Sequence, residues 1–130
     1  LSDRLPLILI VDDMVETRRL MRRVLERSRF RVMEAGSGED GLRAIETARP
    51  VLVVLDLRLP RMSGFDVARA VRSSSSPEVA ATVLLACSAS VHPGVQREAI
   101  EAGCNDFEGK PFDIVAFPER VRELIAQHRR

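Results

Sequence analysis

Five side chains along this sequence carry groups that could act together. They are the adjacent carboxylates of Asp12 and Asp13, the carboxylate of Asp56, the hydroxyl of Ser88 and the amine of Lys110. Each follows closely on a short strand-like run, and in open α/β sheets ligands bind beyond the carboxyl ends of the strands, so one edge would gather all five. Three carboxylates in one place repel each other, an arrangement made tolerable by a cation among them. Oxygen donors of this kind, with room left for water and phosphate oxygens, suit Mg²⁺. A carboxylate can also attack phosphorus to give an aspartyl phosphate, and such transfer needs little beyond in-line positioning and neutralisation of charge. Mg²⁺ and Lys110 would supply the positive charge, and the Ser88 hydroxyl would donate to a phosphoryl oxygen. The inventory is chemically complete for phosphorylating one Asp.

The elements that must place these residues follow from the patterning. Leu7 to Val11 is wholly apolar, as a strand buried on both faces would be, and Asp12 ends it. Met14 to Ser28 carries Leu20, Met21, Val24 and Leu25 at helical spacing. Phe30 to Glu34 reads as a second strand. After the break at Gly36-Ser37-Gly38, Glu39 to Ala48 returns to a helix that Pro50 closes. Val51 to Leu55 is a third strand, ended by Asp56, and Phe65 to Val71 is a helix. Ser73 to Pro77 reads as a polar connection and Thr82 to Cys87 as the fourth strand. A helix opens on Pro93 and stops at Gly103. Asn105 to Glu108 forms a fifth strand, and Asp113 to His128 the last helix, with Pro118 expected to delay its start or kink it. Five strands alternating with five helices predict an α/β fold, a three-layer αβα sandwich on a parallel sheet. The expected organisation is a single domain over residues 1–130 with its core at about 7–125.

Composition narrows the partners. The 130 residues hold 20 Lys plus Arg against 19 Asp plus Glu, a near balance that argues against nucleic acid or an anionic membrane as a partner found by bulk charge. Trp and Tyr are absent, which disfavours a base-stacking surface. Cys87 and Cys104 make no disulfide framework and read as buried, reduced thiols in a cytoplasmic setting. No apolar run approaches the roughly 20 residues of a membrane span. Arg18, Arg19, Arg22, Arg23 and Arg27 form a basic stripe that reads as a solvated helix face. His92 and His128 stand alone and read as surface residues. The chain opens on Leu1 rather than Met, as a piece of a longer protein would.

Four motifs fall in register: Val11-Asp12-Asp13; Leu55-Asp56 with Pro60, Met62 and Gly64; Ser88-Ala89; and Lys110-Pro111-Phe112. In that order they resemble the receiver domain of two-component response regulators, over about Leu7 to Ile125. Taken alone, Asp12 and Asp13 would read as helix-capping acids, but in register with Asp56 and Lys110 they read as metal ligands. The resemblance implies a flavodoxin-like receiver fold with strand order 2-1-3-4-5. It implies Asp56 as phosphoacceptor, Asp13 binding Mg²⁺ directly, Asp12 mainly through water, and the backbone carbonyl of Arg58 completing the metal site. Ser88 would follow the phosphoryl group, Lys110 would pair with it, and the Lys110-Pro111 bond would be cis. Phe107 falls at the family's aromatic switch position, so phosphorylation would repack the surface of the fourth helix, fifth strand and fifth helix counted above.

The implied function is a phosphorelay switch that takes phosphate from a histidine kinase or histidine phosphotransfer protein. Such a switch catalyses its own modification and is not an enzyme with a turnover substrate. Two other functions compete. Haloacid-dehalogenase-like phosphatases need a second acid two residues past the nucleophile, where this sequence has Arg58 after Asp56 and Met14 after Asp12. A phosphorylation-independent interaction module would not need the full set of Asp12, Asp13, Asp56, Ser88 and Lys110. Three features depart from the commonest receiver pattern: Arg58 is long and cationic, Ser88 replaces a frequent Thr, and Phe107 lacks a Tyr hydroxyl. Arg58 is expected to alter the lifetime of the phosphate, and an Arg58→Ala variant with an unchanged dephosphorylation rate would refute that. The output partner or fused domain is not readable. Ser88-Ala89-Ser90 and Phe107 look like the receiver of a hybrid sensor kinase.

Overall fold

The computed structural model describes residues 4–90 and 92–128. Five strands, β1 (Leu7–Val11), β2 (Arg31–Ala35), β3 (Leu52–Asp56), β4 (Val83–Ser88) and β5 (Asp106–Gly109), form one sheet in the order β2-β1-β3-β4-β5, every pair parallel. The helices are α1 (Val15–Arg27), α2 (Gly38–Ala48), α3 (Gly64–Arg72), α4 (Pro77–Ala80), α5 (Pro93–Ala102) and α6 (Phe117–Gln127).

Alternation along each strand divides the core in two. Ile8, Ile10, Leu52, Val54, Val83, Leu85 and Cys87 face one layer, where they meet Met21 and Leu25 of α1 and Phe117, Val121 and Leu124 of α6. Leu9, Val11, Val53, Leu55, Leu84 and Ala86 face the other, against Ile45 of α2, Val67, Ala68 and Val71 of α3, and Ala99 and Ala102 of α5. The central strands are therefore apolar on both faces, and continuous runs such as Leu-Ile-Leu-Ile-Val satisfy both layers at once. Each large side chain so buried contributes about 1.5–3 kcal/mol by leaving water.

The termini of the elements explain where they differ from expectation. The polar connection after α3 contains a sixth helix, the single turn α4: Ser76 accepts the Val79 N–H as its N-cap and Pro77 opens it, a first-turn position where the missing N–H costs nothing. The last helix begins at Phe117 rather than Asp113. Pro118 lies in its first turn, and the Asp113 carboxylate instead accepts the N–H groups of Val115 and Ala116 in the turn before it. Ser63 and Asp66 close a reciprocal capping box at the start of α3. Neither Asp12 nor Asp13 caps α1, whose N-cap is Met14.

Candidate functional site

β1 and β3 lie side by side in the middle of the sheet, so their carboxyl ends bring Asp12 and Asp13 against Asp56. One carboxylate oxygen from each of the three lies within 4.8 Å of the others. Asp12 and Asp56 are buried, at 1% and 6% exposure, and Asp13 faces solvent. Lys110, one residue past β5, reaches back to place its Nζ 2.7 Å from Asp12 Oδ2 and 3.6 Å from Asp56 Oδ2. One amine thus pairs with two of the three carboxylates. Ser88 ends β4 and is buried; its Oγ accepts the Ser90 N–H at 3.1 Å, and its carbonyl accepts the Lys110 N–H at 2.9 Å. The Lys110–Pro111 peptide is cis.

The loop after Asp56 folds tightly over it. Asp56 Oδ1 accepts the Arg58 N–H at 3.2 Å, and Gly64 donates its N–H to the Leu57 carbonyl at 3.1 Å. A Cβ on Gly64 would overlap the Asp56 carbonyl oxygen and stand 2.7 Å from the Leu57 Cα, so only glycine permits this return. The Arg58 side chain is exposed and donates to Ser90 Oγ at 2.8 Å, which ties the loop after β3 to the loop after β4 above the acids.

Charge sets the chemistry of the pocket. Burial pushes the Asp56 carboxyl above the usual carboxylate range, and Asp12 and Asp13 add like-charge repulsion, while Lys110 and the Arg58 N–H oppose the shift. Burial works against the charge on Lys110, but its hydrogen bond to Asp12 and the charges of Asp56 and Asp12 outweigh that and raise its pKa. The donor set is oxygen only, is rich in negative charge and has one open side at Asp13, which fits Mg²⁺.

Phe107 pairs in register with Ala86 and is half-buried against the α2–α5 layer of the core. The basic stripe on α1 is not uniformly solvated. Arg19, Arg23 and Arg27 are exposed, but Arg18 is largely buried against the site, donating to Glu34 at 3.0 Å and to the Asp12 carbonyl at 2.8 Å. The helical pattern hid this, because the partner lies on a different strand. The available signal was Glu34, an acid inside the short second strand. Buried Cys87 and Cys104 take no part: burial pushes the Cys87 thiol well above its ordinary value and raises that of Cys104 to about 11, with Lys110 and Arg72 respectively opposing.

The family model for the response regulator receiver domain matches residues 8–122. The chain is similar to the KDP operon transcriptional regulatory protein KdpE of Escherichia coli, with 34% identity over 93% of this chain and 52% of that protein. It is 29% identical, over 86% of its length, to the hybrid signal transduction histidine kinase C of Dictyostelium discoideum, of which it covers 10%. Its fold matches chemotaxis protein CheY4 of Vibrio cholerae with a TM-score of 0.85 at 24% identity, covering 92% of this chain and 98% of that one. A five-stranded parallel sheet in this order, with acids at the ends of β1 and β3, defines a flavodoxin-like signalling module. The chain belongs to the response regulator receiver domain family of two-component systems. It spans about half the length of the curated transcriptional regulators it matches.

Proposed function

We propose that this chain is a phospho-accepting switch in which Asp56 takes a phosphoryl group from a phosphohistidine. The observation that carries the reading is the convergence of Asp12, Asp13 and Asp56 within 4.8 Å, with Lys110 bonded to Asp12 and 3.6 Å from Asp56. Transfer would break the P–N bond of the donor and form a P–O bond to an Asp56 carboxylate oxygen, the departing imidazole taking up a proton. Hydrolysis of the acyl phosphate by water would return the Asp56 carboxylate and inorganic phosphate. Asp13 would hold Mg²⁺ directly and Asp12 mainly through water, with Asp56 and the Arg58 carbonyl completing the set. The bound ion supplies positive charge against the phosphoryl oxygens.

Lys110 and Ser88 are the chain's own partners for that charge. The Lys110 amine already stands between Asp12 and Asp56, and Ser88 Oγ can turn its proton to a phosphoryl oxygen while still accepting from Ser90. Movement of Ser88 would open space on the face of the sheet where Phe107 packs, and the affected surface is α5, β5 and α6. The donor is a histidine kinase or a histidine phosphotransfer protein, and the output belongs to a partner or to a further domain. No described helix is long and apolar enough to cross a membrane, and the proposed setting is the cytoplasm. The whole chain forms the receiver unit on this reading.

Acetyl phosphate with Mg²⁺, read by intact mass, tests the reading. A phosphoryl mass should appear in the native chain, be absent from Asp56→Asn, and vanish when Mg²⁺ is chelated. A folded native chain that gains no mass and binds no beryllofluoride would instead identify a module that signals by binding alone.

A further inference from the structure

Asp12 is held at every polar group it owns. Its N–H donates to the Ala35 carbonyl at 3.1 Å, its Oδ1 accepts the Met14 N–H at 2.9 Å, and its Oδ2 takes Lys110 at 2.7 Å. Its carbonyl takes the Arg18 guanidinium at 2.8 Å. Asp13 is the opposite case: its carboxylate is exposed and has no hydrogen-bond or ion-pair partner among the described residues. With no side-chain contact to hold it, the point from which it projects is set by the backbone that precedes it. The Asp12–Asp13 peptide is planar, so a grip on the Asp12 carbonyl also fixes the Asp13 N–H and Cα.

Arg18 supplies that grip from a locked position. Its Nε donates to Glu34 Oε1 at 3.0 Å, while the second oxygen of Glu34 takes Arg22 at 2.6 Å, and Arg22 also donates to the Val32 carbonyl at 2.8 Å. The Arg18 side chain is 17% exposed. Gly36 leaves it room, because a Cβ there would come within 3.2 Å of Arg18 Nη1. Nothing comparable holds Arg19, Arg23 or Arg27 on the same helix, which are exposed.

Resting on the metal reading proposed above, we infer that Arg18 is a positioning residue, a guanidinium clamped by Glu34 that holds the Asp12–Asp13 peptide and so aims the Asp13 carboxylate at the cation. Charge and position oppose each other here. A cation this close to a Mg²⁺ site weakens binding by repulsion, so deleting it would tighten binding if charge were its whole effect. If Arg18 aims the ligand, deleting it loosens binding instead.

Mg²⁺ is titrated into the unphosphorylated chain and followed by NMR shifts of the backbone amides around Asp13, alongside thermal unfolding without Mg²⁺. Arg18→Lys keeps the charge but cannot bridge Glu34 and the carbonyl together. It should raise the Mg²⁺ dissociation constant about tenfold, the lower end of the usual cost of losing an outer-shell partner. Arg18→Gln should also bind more weakly, against the sign expected from charge, and Arg19→Gln should leave affinity unchanged or slightly higher. A folded Arg18→Lys that binds Mg²⁺ as the native chain does would overturn the inference, and so would an Arg18→Gln that binds more tightly. If the native chain shows no Mg²⁺-dependent shifts, the metal reading itself falls and the inference with it.

Discussion

The two ends of the sheet bury charge in opposite ways. At the carboxyl ends of the strands, Asp12 and Asp56 are buried beside Asp13 with a single amine among them. At the amino ends of β4 and β5, Arg72 of α3 is half-buried without a carboxylate. Its guanidinium donates to the carbonyls of Gly103, Ala80 and Thr82 at 2.7–2.9 Å and to Asn105 Oδ1 at 2.8 Å. Burial lowers the Arg72 pKa, yet every acceptor around it is a neutral oxygen in good geometry. Asn105 extends the network by accepting the Leu84 N–H and donating its own N–H to the Leu84 carbonyl. The first end holds an excess of charge that folding alone does not balance; the second is saturated. Polar groups that are satisfied hold a fold together, whereas a surplus of buried charge in a cleft at the strand ends is what a functional site requires.

Arg72→Met tests the saturated end most severely. It leaves four oxygens without their donor and should cost about 3 kcal/mol, lowering the melting temperature by roughly 10 °C, while phosphorylation of the folded fraction is retained. Gly64→Ala comes next. The new methyl must displace the backbone at Asp56 and Leu57, a strain of about 2 kcal/mol, and thermal unfolding would show the loss together with slower uptake of the phosphoryl mass. Asp56→Asn should move the other way, gaining about 1 kcal/mol because it removes a carboxylate from a crowded site, while phosphorylation is lost. If that variant is less stable than the native chain, the surplus of charge is not a strain and the contrast between the two ends fails.

The smallest effect concerns Glu34. Burial works against its charge, but hydrogen bonds from Arg22 and Arg18 prevail and hold its pKa below the ordinary carboxylate value. A depressed pKa means stability that is present above the unfolded value, near 4.3, and is lost as the pH falls through the lower folded value. Unfolding measured between pH 6 and pH 3 should therefore decline less steeply for Glu34→Gln than for the native chain.

Most of the architecture was legible because buried parallel strands leave continuous apolar runs and acids mark where they stop. Asp12 and Asp56 stand at that punctuation, and Ser88 and Lys110 at the ends of the fourth and fifth strand-like runs. The single turn of α4 was not, since four residues carry no periodicity, and Ser76-Pro77 was its only signal. The start of α6 shifted because the Asp113 carboxylate engages Val115 and Ala116 locally before Pro118 permits a helix. Arg18 was misread because its value lies in pairs that span 6 and 16 residues along the chain, and spacing on one helix face cannot reveal contacts to a neighbouring strand. Arg72 was overlooked for the same reason, its acceptors being backbone carbonyls that no sequence pattern displays.

Cys87 points into the layer of α1 and α6, while Ala86 faces the layer of α5 and Phe107. The sheet is thus a wall between two rooms. On the proposed function, the surface that changes reaches both rooms, with α5 and Phe107 on one side of the wall and α6 on the other. A substitution at Ala86 therefore acts first on the packing of α5 and Phe107, while one at Cys87 acts first on the packing of α1 and α6, so neighbouring residues of one strand tune the two halves of that surface separately.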